Sequence, residues 1–63
     1  MTLTARQAEV LGYLANGFRA KEIARELSID YGTVKRHVEA AMRRLGARSR
    51  PQAVACAIRA GLI

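Results

Sequence analysis

Lys35, Arg36, Glu39 and Arg43 are the residues of this chain best equipped for chemistry. At roughly 100° per residue a helix gathers all four on one side. That set supports hydrogen bonding to a polyanion and to base edges rather than bond making. Lysine and arginine donate to guanine O6 and N7, and a carboxylate accepts from cytosine N4. No nucleophile–base pair or pair of carboxylates accompanies them, and the chain is too short to enclose a pocket, which argues against an enzyme. Cys56 and His37 are the only cysteine and histidine, too few for a zinc ligand set. No metal and no cofactor is implied.

The elements that must hold these residues are helices. No stretch alternates with period two, and β-branched residues are few. In a helix over 31–45, Val34, Val38, Ala41 and Leu45 stack on one side and must face a core. Arg36, Glu39, Ala40 and Arg43 then face outward, flanked by Lys35, Thr33 and His37. The outward surface is low at Ala40 and basic around it. Asp30 stands at the N-cap, where its carboxylate would meet free N–H groups, and Gly46 stops the helix. Gly32 keeps the first turn low enough for a phosphate backbone to approach. A shorter helix over 20–27 carries Ile23, Ala24 and Leu27 on one face, and Ser28–Ile29 make the turn between the two. Its cap is poor, because Arg19 stands where Ser or Asp is usual. Two helices joined this way are the device that sets a helix in the DNA major groove.

Two further helices frame the pair. The first, over 5–16, opens on the capping-box spacing of Thr4 and Gln7, with Leu3 and Ala8 at staple positions. Val10, Leu11 and Leu14 form its apolar stripe, and Gly17 ends it. The last, over 50–60, repeats the box with Ser49 and Gln52, tolerates Pro51 in its first turn, and closes at Gly61. The expected fold is all-α, a four-helix bundle containing a helix-turn-helix, in one domain spanning 1–63.

Size and charge bound the rest. A chain of 63 residues buries about 60% of its unfolded surface, so its core is marginal and oligomerisation is one remedy. The last helix is apolar nearly all round. Ala53, Cys56, Ala57 and Ala60 suit docking onto the chain's own helices, which leaves Pro51, Ala55, Ile58 and Leu62 as the candidate face for a homodimer. The net charge of +6 is uneven. Residues 1–17 balance, and the excess grows to Arg48, Arg50 and Arg59 with no acid after residue 46. This is the footprint expected of a polyanion's partner, or else a solvated surface. No apolar run approaches the ~20 residues of a membrane span. A single thiol fits a reducing, cytoplasmic setting.

The chain closely resembles the LuxR-type, or GerE-like, helix-turn-helix domain of bacterial transcription regulators. The resemblance rests on Leu3-Thr4, Arg6, Glu9-Val10-Leu11, Gly17, Lys21-Glu22-Ile23-Ala24, Leu27, Ile29, Thr33-Val34-Lys35, His37, Leu45-Gly46, Arg50, Ala53-Val54 and Gly61-Leu62-Ile63. It covers essentially the whole chain. It implies a dimer that binds double-stranded DNA on a two-fold symmetric site, with the third helix in the major groove and pairing through the fourth. On that basis Lys35, Arg36 and Glu39 face bases, while Lys21, Thr33 and His37 meet the backbone. Tyr31 either stacks near that backbone or covers the turn. Arg43 and Arg50 are phosphate candidates or plain surface charge. The chain departs from the family at Arg19-Ala20, where Ser-Asn is usual. A cap is lost there, and Arg19 gains a charge that could meet a phosphate. Gln7 replaces a usual Glu and still serves the box.

Glu39 replaces a basic or polar reader. It either accepts from cytosine or orients Arg36 and Arg43 at i−3 and i+4, the second being favoured. Family members usually carry a sensing domain upstream and act in the bacterial cytoplasm at the nucleoid, with RNA polymerase as a further partner. The Gly-Leu-Ile ending resembles regulators of quorum sensing. Rival readings are a protein-interaction module and a sigma-factor-like promoter reader. Steep salt dependence separates DNA binding from the first, and two-fold site symmetry argues against the second.

Overall fold

In the computed structural model, which describes residues 2–63, the chain forms four helices: α1 (Ala5–Ala15), α2 (Ala20–Leu27), α3 (Tyr31–Leu45) and α4 (Arg50–Arg59). No strand occurs among the described residues. α1 and α4 end one residue earlier than the spacing suggests, because Asn16 and Ala60 are cap residues whose N–H groups still bond back into the helix.

The capping chemistry at Thr4 is complete. The Gln7 N–H donates to Thr4 Oγ1 at 3.1 Å, and the Thr4 N–H donates to Gln7 Oε1 at 3.0 Å. α2 has only half of that arrangement. The Arg19 N–H donates to Glu22 Oε1 at 2.7 Å, but arginine has no acceptor with which to reciprocate. Two expectations are corrected here. Asp30 occupies the N-cap of α3 with extended backbone, yet its exposed carboxylate makes no capping hydrogen bond. It acts on the first turn only through its charge at the positive end of the helix dipole. At α4 the Gln52 N–H donates to Ser49 Oγ at 3.2 Å, but the Gln52 side chain accepts from Arg48 N–H at 2.6 Å instead of Ser49. The box is displaced by one residue on that side.

All four helices stop in the same way. The N–H groups of Phe18, Ile29, Ala47 and Leu62 reach back five residues to the carbonyls of Tyr13, Ala24, Met42 and Ala57, at 2.8 to 3.0 Å. Such a bond requires a left-handed residue just before the donor. Gly17, Gly46 and Gly61 supply it at φ 88°, 64° and 72°, and Ser28 does so at φ 54°. The motif folds the following apolar side chain back onto the bundle. Phe18 therefore meets Tyr13 edge-on, with ring centroids 4.9 Å apart.

The core has two parts that share α3. Val10 of α1, Ala20, Ile23 and Ala24 of α2, and Val34 and Val38 of α3 form one. Leu11 of α1, Ala41 of α3, and Ala53 and Ala57 of α4 form the other. Leu14 and Met42 touch both. α3 packs against all three other helices, whereas α2 and α4 do not meet. The radius of gyration, 10.4 Å, is that of a close-packed chain of this length, about 10.6 Å. No buried side-chain nitrogen or oxygen among the described residues lacks a partner.

α4 faces the bundle differently from expectation. Val54 joins Ala53 and Ala57 on the packed side, which turns Cys56 half outward and leaves Ala60 exposed. Leu62, assigned from spacing to the outer stripe, belongs instead to the packed side. The final turn folds it back onto the cluster around Leu11 and Ala57. Pro51 and Ile58 are exposed and Ala55 is half-buried.

Candidate nucleic-acid interface

The buried faces of Val34, Val38 and Ala41 fix which side of α3 looks outward. On that side Lys35, Arg36, Glu39 and Arg43 are exposed, and Ala40 lies half-buried among them. α3 carries Lys35, Arg36, Arg43 and Arg44 against Glu39 alone, so its face is strongly positive. α2 supports the N-terminal half through Ile23 and Ala24, and α4 supports the C-terminal half through Ala53 and Ala57. The basic face is therefore held by packing on both sides of the helix and not by its own charges.

Arg36 and Glu39 do not interact as the spacing suggests. The Arg36 guanidinium turns toward the helix N-terminus, where Nη2 donates to Thr33 Oγ1 at 3.0 Å. It lies over Gly32, so close that a Cβ there would sit 3.7 Å from Arg36 Nη1. The expected orientation of Arg36 and Arg43 by Glu39 is thus replaced by orientation of Arg36 by Thr33. Among the described residues the one ion pair is Arg6–Glu9 at 3.2 Å, exposed on α1.

Tyr31 lies at the start of α3 and is 42% exposed. Lys35 Nζ stands 4.8 Å from its ring centroid, and Lys21 Nζ of α2 stands 5.8 Å from it. The α2–α3 turn thereby brings Lys21, Tyr31, Thr33, Lys35 and Arg36 to one end of the pair. Of the remaining candidates, Arg19 is exposed at the cap of α2 and His37 is half-buried. Arg44, beside the outward face, is drawn to the Thr2 carbonyl at 3.3 Å.

Arg50 is not gathered with that group. It lines a shallow groove between α1 and α4, with Leu14, Ala15, Pro51, Val54, Ala55 and Ile58. The groove is mostly apolar, and Ile58 on its wall is 54% exposed. Leu14, Ala15 and Val54 are missing from the face assigned from spacing. That assignment considered α4 alone, while the groove is made by two helices. No cluster of metal-ligating side chains occurs among the described residues. No helix there is long and apolar enough to cross a membrane.

The same sequence pattern and fold occur in known proteins. The family model for "Bacterial regulatory proteins, luxR family" matches residues 1–57. The chain is 44% identical to Spore germination protein GerE of Bacillus subtilis (strain 168) over 59 residues, covering 94% of this chain and 80% of that protein. It is also 44% identical to Transcriptional regulatory protein LnrK of the same organism over 62 residues, covering 98% of this chain and 28% of LnrK. Among solved structures, that of the transcription factor GerE superposes with a TM-score of 0.91 at 32% identity, covering 95% of this chain and 90% of that one. The response regulator ChrA of a heme-sensing two-component system gives 0.93 at 33% identity, over 100% of this chain and 31% of that one. The chain thus spans 26–28% of the first curated relatives it matches.

Proposed function

The chain belongs to the luxR family of bacterial regulatory proteins and is a helix-turn-helix DNA-binding domain of that kind; on this premise we propose that α3 lies in the major groove of double-stranded DNA, with Lys35, Arg36 and Glu39 toward the bases. The observation that carries this reading is the exposed basic face of α3, locked outward by Val34, Val38 and Ala41. Lys35 and Arg36 are donors of the kind that read guanine, and Glu39 is an acceptor of the kind that reads cytosine. Arg19, Lys21, Thr33, His37 and Arg43 border that face and supply contacts to the phosphates, which fix register without reading sequence; Tyr31 stands beside them at the start of α3. Arg50 reaches a phosphate only at the edge of the groove between α1 and α4.

Two copies read together. The groove of Leu14, Ala15, Pro51, Val54, Ala55 and Ile58 is the apolar surface that a second copy would cover. Pairing there sets two α3 helices on half-sites about one DNA turn apart. The domain then serves as the output part of a transcription regulator on the bacterial nucleoid, with RNA polymerase the protein partner such a role implies.

A selection from random duplex DNA, followed by titration of wild type and Arg36→Ala, tests the reading. A selected two-fold symmetric site, with preference relaxed at one position of each half by Arg36→Ala, is the expected result. No enriched sequence, or a preference that Arg36→Ala leaves intact, contradicts the placement of α3.

A further inference from the structure

We infer that Tyr31 is a positioning residue whose ring gathers Lys21 of α2 and Lys35 of α3 into one prepared cationic pair across the turn. The inference rests on the DNA-binding reading and gives that interface an ordering device. Both ammonium groups stand within cation–π range of one ring, at 5.8 and 4.8 Å from its centroid. They lie on different helices, so no helical spacing joins them. Neither lysine pairs with a carboxylate among the described residues, so the π-system of the Tyr31 ring is the group near both.

A free lysine tail loses much rotamer freedom when it is fixed on a phosphate. A lysine already resting on an aromatic face has lost part of it before binding, and preorganisation of this kind strengthens association. The ring spans the two helices, so it also fixes the spacing of the two charges. Its ligand is therefore a DNA strand passing that end of the helix pair, with Lys21 on its phosphates and Lys35 reaching past them to the bases. Tyr31 acts on that strand through the lysines.

The test compares Tyr31→Phe and Tyr31→Leu in this chain, on the selected duplex and on an unrelated one. An exposed cation–π contact is worth about two- to fivefold in an equilibrium constant. With two lysines involved, Tyr31→Leu is expected to weaken both duplexes about three- to tenfold, and Tyr31→Phe less than about twofold. In a Lys21→Met/Lys35→Met background the effect of Tyr31→Leu should fall below about twofold, since the cycle isolates the coupling. In the free protein, the ε-methylene protons of both lysines should show ring-current shifts that Tyr31→Phe keeps and Tyr31→Leu abolishes. Because the ring is 42% exposed, these variants should fold, and thermal melts check this.

The inference is overturned if Tyr31→Leu binds like wild type. It is also overturned if the loss persists without the lysines, which makes the ring itself the contact. A Phe variant as weak as the Leu variant would make the hydroxyl the contact, with the same consequence. If wild type binds no duplex, the proposed function fails. The ring-current shifts then still decide whether Tyr31 holds the lysines.

Discussion

Lys35, Arg36 and Glu39 differ in how far each is committed before a partner arrives. Lys35 rests on the Tyr31 ring, Arg36 is bonded to Thr33 Oγ1, and Glu39 has no ion-pair partner among the described residues. Exposed and unpaired, Glu39 contributes little to the fold. Glu39→Ala should change stability by less than about 0.5 kcal/mol in urea unfolding. The same variant should alter base preference in a binding selection, and unchanged preference would remove Glu39 from the base-facing set. Lys35→Ala should cost about 1–3 kcal/mol of binding, measured by anisotropy on the selected site. At this scale much was legible in sequence. Periodicity alone puts Lys35, Arg36, Glu39 and Arg43 on the outward face, opposite Val34 and Val38. The Thr33–Arg36 bond was available in the i, i+3 spacing but lost to a more familiar charge pairing with Glu39. Lys21 meeting Tyr31 could not be read, because it depends on how the turn sets two helices.

The helix ends are where this chain spends its special residues. Ser28 is the one described non-glycine residue at positive φ, in a position that glycine holds at the ends of the other three helices. A side chain there costs about 1–2 kcal/mol in backbone strain, partly offset because glycine makes the unfolded chain more flexible. Ser28→Gly should therefore raise stability by about 0.5–1 kcal/mol in urea unfolding, and a lower midpoint would show that the serine is not strained. Thr4→Ala removes a completed capping box and should cost about 1 kcal/mol by the same measurement. Thr4–Gln7 was plain from spacing, as were the glycine stops. The silent Asp30 carboxylate and the displaced Gln52 bond were not. Residue type marks a capping position, but the local backbone decides which oxygen a side chain meets.

The whole molecule is two small cores hung on α3, with one apolar groove left open between α1 and α4. Sequence periodicity named the four-helix bundle. It misplaced Leu62 and omitted Leu14, Ala15 and Val54, because a face shared by two helices leaves no period in either. Leu11 is fully buried at the centre of one core. Leu11→Ala should cost about 2–5 kcal/mol, comparable with the whole stability of so small a domain, and should leave the chain largely unfolded by circular dichroism. Ile58 stands 54% exposed on the groove wall, so Ile58→Asp should leave the melting transition nearly unchanged. Cooperative occupation of a duplex with two half-sites should be lost with it, and retained cooperativity would move the pairing face elsewhere. The central claim is that the basic face of α3 reads duplex DNA. It is tested most directly by titrating wild type against the selected and a scrambled duplex across a salt series. A preference for the selected duplex is expected at every salt concentration, with log affinity falling by about 0.9 per phosphate contacted for each tenfold rise in salt. Equal binding to both duplexes, or an affinity indifferent to salt, would contradict it.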